Sequence, residues 1–199
     1  MKALTITLAV LISAVLLLFF FNSESNVAEY PTDWPIVKAS AAWKCSDTFG
    51  KFKNKGDEAP TNRFRYISPI YLGMELSEHV LYDTNVDPKW ADIVELVATT
   101  NSGFEVVLWE EGKQLLRDRY KQGDFSCSSG WISTSSSGMN STHIRVEWNA
   151  YSLKFAKASD GSLVMRSSYK NYGLFAFLIP YREQTVQWYR FPTAELPPS

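Results

Sequence analysis

Residues 3–21 form one apolar run in which only Thr5, Thr7 and Ser13 are polar. Nineteen residues in a helix reach close to 30 Å, about the hydrocarbon thickness of a bilayer, whereas the apolar part of a cleavable signal is usually about 7–15 residues. Length therefore favours a retained anchor over a signal peptide. Ser23 and Ser25 nevertheless place small residues at the spacing that a signal peptidase reads, so both outcomes stay open for residues 1–21. Lys2 and the amino terminus set the direction: they stay in the cytoplasm, and everything after residue 21 is expected outside it. The expected partner of residues 1–21 is thus the membrane, and the expected location is extracytoplasmic, either anchored to the inner membrane or released to the periplasm or beyond.

Cysteine usage fits that compartment. Cys45 and Cys127 are the two cysteines of the chain, and an even count outside the cytoplasm is most simply one structural disulfide. The charge balance, 20 basic against 21 acidic residues, excludes an electrostatic footprint for nucleic acid, and no glycine-rich phosphate loop is present to hold a nucleotide. No cofactor is expected.

What remains after residue 21 is of single-domain size, and its patterning is mainly β. Residues 22–42, with Pro31 and Pro35 around Trp34, read as a linker that packs by its aromatics; 43–192 read as the β-rich domain and 193–199 as a tail. Residues 63–72 alternate as a strand. Phe104–Trp109 and Gln114–Tyr120 around Glu111-Gly112 read as a hairpin, and Asp160-Gly161 between 153–158 and 162–168 reads as a second, with a tight type I′ turn. Residues 173–181 and 184–191 follow at the same spacing. The sum is an antiparallel meander that forms a barrel or a sandwich, preceded by one transmembrane or signal helix. Residues 88–98 fit either a helix capped by Asp87 or a strand, with β-branched Ile93, Val94 and Val97 favouring the strand. The Ser-rich stretch 126–142 reads as strand fragments around a mobile loop.

Candidate chemistry is sparse. His79 and His143 are the only histidines and sit in no zinc spacing, so no metal site is expected. Asp83, Asn85 and Asp87 resemble the opening of a calcium loop, but Pro88 stands where that loop needs glycine and Val94 where it needs a bidentate glutamate. Cys127 with His143 has the residue types of a thiol hydrolase, in competition with the disulfide. A serine with His143 and Asp124 or Asp160 is the corresponding hydroxyl version. Glu110 and Glu111 are adjacent and on a strand point to opposite faces. Asn140-Ser141-Thr142 is a glycosylation acceptor triplet in organisms that glycosylate secreted proteins.

The aromatics are numerous, with 7 Trp, 10 Tyr and 12 Phe. Core packing is the ordinary role of such rings. If the sheet closes into a barrel, Trp109, Trp131, Trp148 and Trp188 are candidates to line a cavity for a lipid or other apolar ligand.

The series Cys45-x-Asp47-x-x-Gly50-x-Phe52-x-Asn54-x-Gly56 resembles the opening of uncharacterised bacterial envelope proteins and lipoproteins, a resemblance that implies no activity. Its Gly-x-aromatic strand is also similar to the start of lipocalin-like barrels, which implies a carrier role, although the Gly-x-Trp of lipocalins is missing. Three functions follow as expectations: an envelope-associated β-rich binding or structural module without catalysis, a lipocalin-like carrier, and a hydrolase using Cys127 or a serine with His143.

Overall fold

The computed structural model describes residues 13–14, 23–37, 45–59, 71–77, 86–99, 103–175 and 179–195. The chain is mainly β. Its strands are β1 (Ser23–Val27), β2 (Gly50–Lys53), β3 (Asp57–Glu58), β4 (Ile93–Ala98), β5 (Phe104–Glu110), β6 (Lys113–Tyr120), β7 (Ser126–Ser128), β8 (Trp131–Thr142), β9 (Arg145–Lys157), β10 (Leu163–Phe175) and β11 (Ile179–Phe191), with one short helix α1 (Leu72–Ser77). One sheet has the order β1-β11-β10-β9-β8-β7, with β3 also on β11; the other has the order β2-β4-β5-β6. β1 joins β11 in parallel, which makes the larger sheet mixed.

Local backbone chemistry explains the hairpins. Glu111 and Gly112 have φ of 49° and 79° between the paired residues Glu110 and Lys113, a type I′ turn whose twist matches that of the flanking strands. Ser129 and Gly130, with φ of 53° and 82°, make the same turn between Ser128 and Trp131. At Asp160-Gly161 the expected type I′ turn is replaced. Gly161 has a φ of 88° while Asp160 stays negative, and Ala158 N donates to Ser162 O, so a longer loop ends in a left-handed glycine. Asp160 Oδ1 accepts from both the backbone N–H and the hydroxyl of Ser162 and holds that loop.

The strand reading of 88–98 holds from Ile93 onward. Asp87 caps only a 3-10 turn, Pro88–Trp90, by accepting from Lys89 N. Ile93, Val94 and Leu96 are buried on both faces of β4, which explains why the segment lacks clean alternation. The strand expected over 63–72 lies outside the described residues as far as residue 70, and Leu72 opens α1. The run 173–181, read as one strand, contains the end of β10 and the start of β11. The Ser-rich stretch is regular, with β7 and the twelve-residue β8 where fragments and a loop were expected. Within 22–42, read as a linker, β1 is a regular strand, and Tyr30 and Trp34 pack edge to face.

The described chain divides into two compact units, and β8–β11 each contribute a part to both. In the larger unit (28–135, 153–167 and 187–199), the core contains Phe52, Phe104, Phe155, Leu163, Met165 and Phe191. Phe104 on β5 stacks on Tyr120 at 4.5 Å and meets Phe155 on β9 edge to face at 6.0 Å, so rings from both sheets share one core. Cys45 and Cys127 are disulfide-bonded at a Cα separation of 5.9 Å, as expected from their count.

The barrel alternative does not hold. Residues 192–194 continue from β11 onto the free edge of β2, through Lys53 N to Pro192 O at 2.8 Å and Ala194 N to Lys51 O at 3.0 Å. On the other side β6 and β7 end their sheets without pairing with each other, so no closed ring forms. β7 is three residues long and its Cys127 is tied to Cys45, a covalent fastening that replaces the missing ladder.

One charge sits within the smaller sheet. Glu105 on β5 is buried and bonded by Arg119 directly opposite and Arg117 diagonally across β6. The hydrogen bond from Arg119, with the charge of both guanidiniums, holds its carboxyl below the usual carboxylate range. Its stabilisation is present above the unfolded-state pKa of about 4.3 and is lost as pH falls through the lower folded value. Glu105→Gln should therefore flatten the acid limb of a stability-against-pH curve measured by urea unfolding; an unchanged limb would remove Glu105 as its source.

Among the described residues, no helix is long and apolar enough to cross a membrane. The run 3–21 lies outside them, apart from residues 13 and 14.

Candidate functional site

Two of the four candidate tryptophans, Trp131 and Trp188, come together. Trp109 on β5 donates its indole N–H to Glu95 Oε2 at 3.0 Å, within the four-stranded sheet. Trp131 and Trp188 meet at 6.2 Å, and Trp188 also carries Tyr30 at 5.1 Å, the Arg166 guanidinium at 5.8 Å and a hydrogen bond to Ala28 O. This pair fastens the segment after β1 to β11, a packing role. Trp148 belongs to the smaller unit and is 48% exposed. A cleft of about 630 Å³ in the larger unit is lined by Gly50, Lys51, Glu95, Lys157, Thr193, Ala194 and Glu195, and none of these four tryptophans is in its lining.

The residues considered for catalysis have other occupations. Cys127, bonded to Cys45, has no thiolate, which removes the thiol version of a hydrolase. Asp124 closes a turn by accepting from Lys121 N. Asp160 holds its hairpin and pairs with Arg190; burial pushes its carboxyl up, but the bonds from Ser162 and Arg190 outweigh that and keep it lowered. His143 is exposed in the two-residue connection of β8 to β9, whereas His79, Asp83 and Asn85 lie outside the described residues. Among the described residues no three His, Cys, Asp or Glu side chains come together as metal ligands.

The series from Cys45 to Gly56 has a structural account. Phe52 is fully buried and Gly50 has a φ of 154°, a conformation that only glycine adopts readily. Asn54, 1% exposed, donates to Pro88 O and Ala91 O at 2.8 Å each and accepts from Gly73 N at 2.8 Å. At Gly56 a Cβ would stand 2.5 Å from the Phe191 ring and 2.8 Å from Arg190 O. Gly56→Ala should thus cost about 1–3 kcal/mol of unfolding free energy through overpacking, read from a denaturation midpoint; no change would mean that β11 gives way freely.

The smaller unit is built differently. Its described residues are 13–14, 23–27, 136–152, 168–175 and 179–186, and besides Pro180 the one buried apolar side chain among them is Val186. By contrast it exposes Val27, Met139, Ile144, Trp148, Tyr172, Phe175 and Ile179. One face of its sheet carries a polar network. Arg145 Nε donates to the Tyr181 hydroxyl at 2.8 Å, Tyr181 donates to Glu147, Arg145 also pairs with Glu147, and Tyr169 donates to Asn149 Oδ1 at 2.8 Å. Burial, then the bond to Glu147, pushes the Tyr181 hydroxyl above its ordinary pKa, while the bond to Tyr181 raises that of Arg145. Gly173 permits this arrangement, because a Cβ there would stand 2.5 Å from the Tyr181 hydroxyl. Strand alternation puts Asn171 on the same face, between Tyr169 and Gly173; it is 3% exposed and its Oδ1 lacks a partner. The opposite face presents Trp148 and Tyr172, with the Arg182 guanidinium 5.5 Å from the Tyr172 ring.

A mixed sheet with aromatic rings open to water is suited to contact with another surface. Sequence reading singled out Trp148 for a ligand cavity but passed over Tyr172, Phe175 and Ile179; the missed signal is that the sequence is apolar-rich over 144–150 and 172–179. Compared with protein families, with curated proteins and with solved structures, the chain matches none.

Proposed function

We propose that the protein is a membrane-tethered, extracytoplasmic β-rich module that acts by binding or as a structural component of an envelope, without catalysis. In this reading residues 1–21 are the tether, the larger unit is a disulfide-fastened scaffold, and the smaller unit is the interaction surface. The observation that carries it is the contrast between the units: buried apolar side chains concentrate in the larger one, exposed ones in the smaller one. A sheet that buries so little is marginal by itself in water and gains from a second surface. The disulfide supports an oxidising compartment, and the length of the run 3–21 supports retention.

The test is direct. The purified chain is offered generic esterase, peptidase and glycosidase substrates, together with its His143→Ala variant. The reading predicts no turnover above background for either protein. Turnover that disappears with His143→Ala would contradict it and restore a hydrolase.

A further inference from the structure

We propose that one end of the smaller unit's sheet rests on the lipid bilayer, with Ile144, Phe175 and Ile179 at the boundary between headgroups and acyl chains. The proposal rests on the reading that residues 3–21 stay in the membrane, and it adds which side chains of the folded unit meet lipid.

Strand direction carries the argument. β1 runs parallel to β11, with Ser23 opposite Arg182 and Val27 opposite Val186. The chain therefore enters β1 beside the beginning of β11. That is the end of the sheet where β10 finishes at Phe175, β11 starts at Ile179 and the β8-to-β9 connection carries His143 and Ile144. A single residue, Asn22, separates the apolar run from β1. One residue spans at most about 3.6 Å, so a membrane segment ending at Phe21 holds this end of the sheet, and not the other, against the bilayer surface.

The side chains at that end match the surroundings this predicts. Ile144 is 57% exposed, Phe175 47% and Ile179 38%, at positions where water-facing strand ends and turns ordinarily carry polar residues. Three or four residues further into the sheet stand Trp148, Tyr172 and Arg182, the last with its guanidinium over the Tyr172 ring. Amphipathic rings and snorkelling cations are the side chains that favour headgroup depth, above an apolar layer. The paired Arg145, Glu147 and Tyr181 lie on the opposite face of the same strands. Apolar side chains thus mark the end from which the tether leaves, and rings with a cation follow one step above.

The test uses the full chain in vesicles of phosphatidylcholine and phosphatidylglycerol, with an environment-sensitive fluorophore on Ile144→Cys and its lipids brominated or not. Bromine in the acyl chains should quench this label by about twofold or more, whereas the same label on Ala150→Cys, about 20 Å further along β9, should change little. Phe175→Asp with Ile179→Asp should relieve the quenching at residue 144 while the chain still floats with the vesicles. Flotation with an unquenched label on the otherwise native chain would overturn the docking and leave the tether standing. Failure to float would overturn the tether and the docking together. Shielding of the label that grows with protein density and ignores bromine would assign this end to a second copy of the chain, and would overturn the proposal as well.

Discussion

Replacing Cys45 and Cys127 together by alanine should lower the unfolding free energy by about 4 kcal/mol. The bond closes a sequence separation of 82 residues, and in the chain-entropy description a loop of that size restricts the unfolded chain by roughly this amount. A small domain has only about 5–15 kcal/mol in total, so the loss is a large fraction of it. The bond fastens the 3-10 turn Cys45–Thr48 to β7, the three-residue edge of the larger sheet, where Thr48 Oγ1 also donates to Gly130 O at 3.1 Å. Urea unfolding of the oxidised protein and of the double variant measures the difference. A change within about 0.5 kcal/mol would mean that the unfolded chain is already compact around this pair.

Asn54→Ala should cost about 3 kcal/mol, the second largest effect expected from a small change. The side chain satisfies two carbonyls and one N–H in a buried site, and removing it leaves all three without partners at about 1 kcal/mol or more each. Its backbone completes the junction, with Asn54 N donating to Asp92 O and Leu72 N donating to Asn54 O, both at 2.8 Å. One residue therefore fixes the end of β2, the start of α1 and the turn before β4. Asn54→Asp keeps the acceptor for Gly73 N but turns an anionic oxygen toward two carbonyls, which raises the folded-state pKa of the new carboxyl. It should be destabilised at neutral pH and recover in part as acid protonates that carboxyl. Equal stability of Asn54→Asp and the parent at pH 7 would show that the two carbonyls find other donors.

Asn54 also illustrates what a linear reading of the chain cannot supply. Its partners lie 19, 34 and 37 residues away, in segments with no common pattern, so nothing in its neighbourhood marks it as a hub. The hairpins, in contrast, were legible because Glu111-Gly112 carries its geometry in two adjacent residues. Ser129-Gly130 makes the same turn and was passed over inside a Ser-rich stretch. β8 was illegible for a related reason: from Ser135 to Thr142 every side chain is exposed, so no alternation of apolar and polar residues exists to be read. β4 was ambiguous because burial on both faces erases the same signal.

The aromatics show where sequence and surface part. Ring-rich strands pointed toward either a core or a ligand-lined barrel, and the larger unit uses its rings for a core, with Phe104 touching Phe49, Tyr120, Phe125 and Phe155. The barrel failed because β6 and β7 do not pair, a long-range fact that no local motif encodes. The polar network of Arg145, Glu147 and Tyr181 was equally out of reach, since it depends on the order β11-β10-β9 and on Gly173 leaving room for a ring from the neighbouring strand.

The proposed function needs a disulfide-fastened module and an apolar run, residues 3–21, that would hold it to a membrane. Mass measurement of the protein taken from its own membranes, denatured without reductant, tests both parts at once. The account predicts the full chain in the membrane fraction, lighter than its reduced form by the two thiol hydrogens. A chain that begins near Ser25 or Asn26 and stays in the soluble fraction would contradict the tether, and a fully reduced chain would contradict the scaffold.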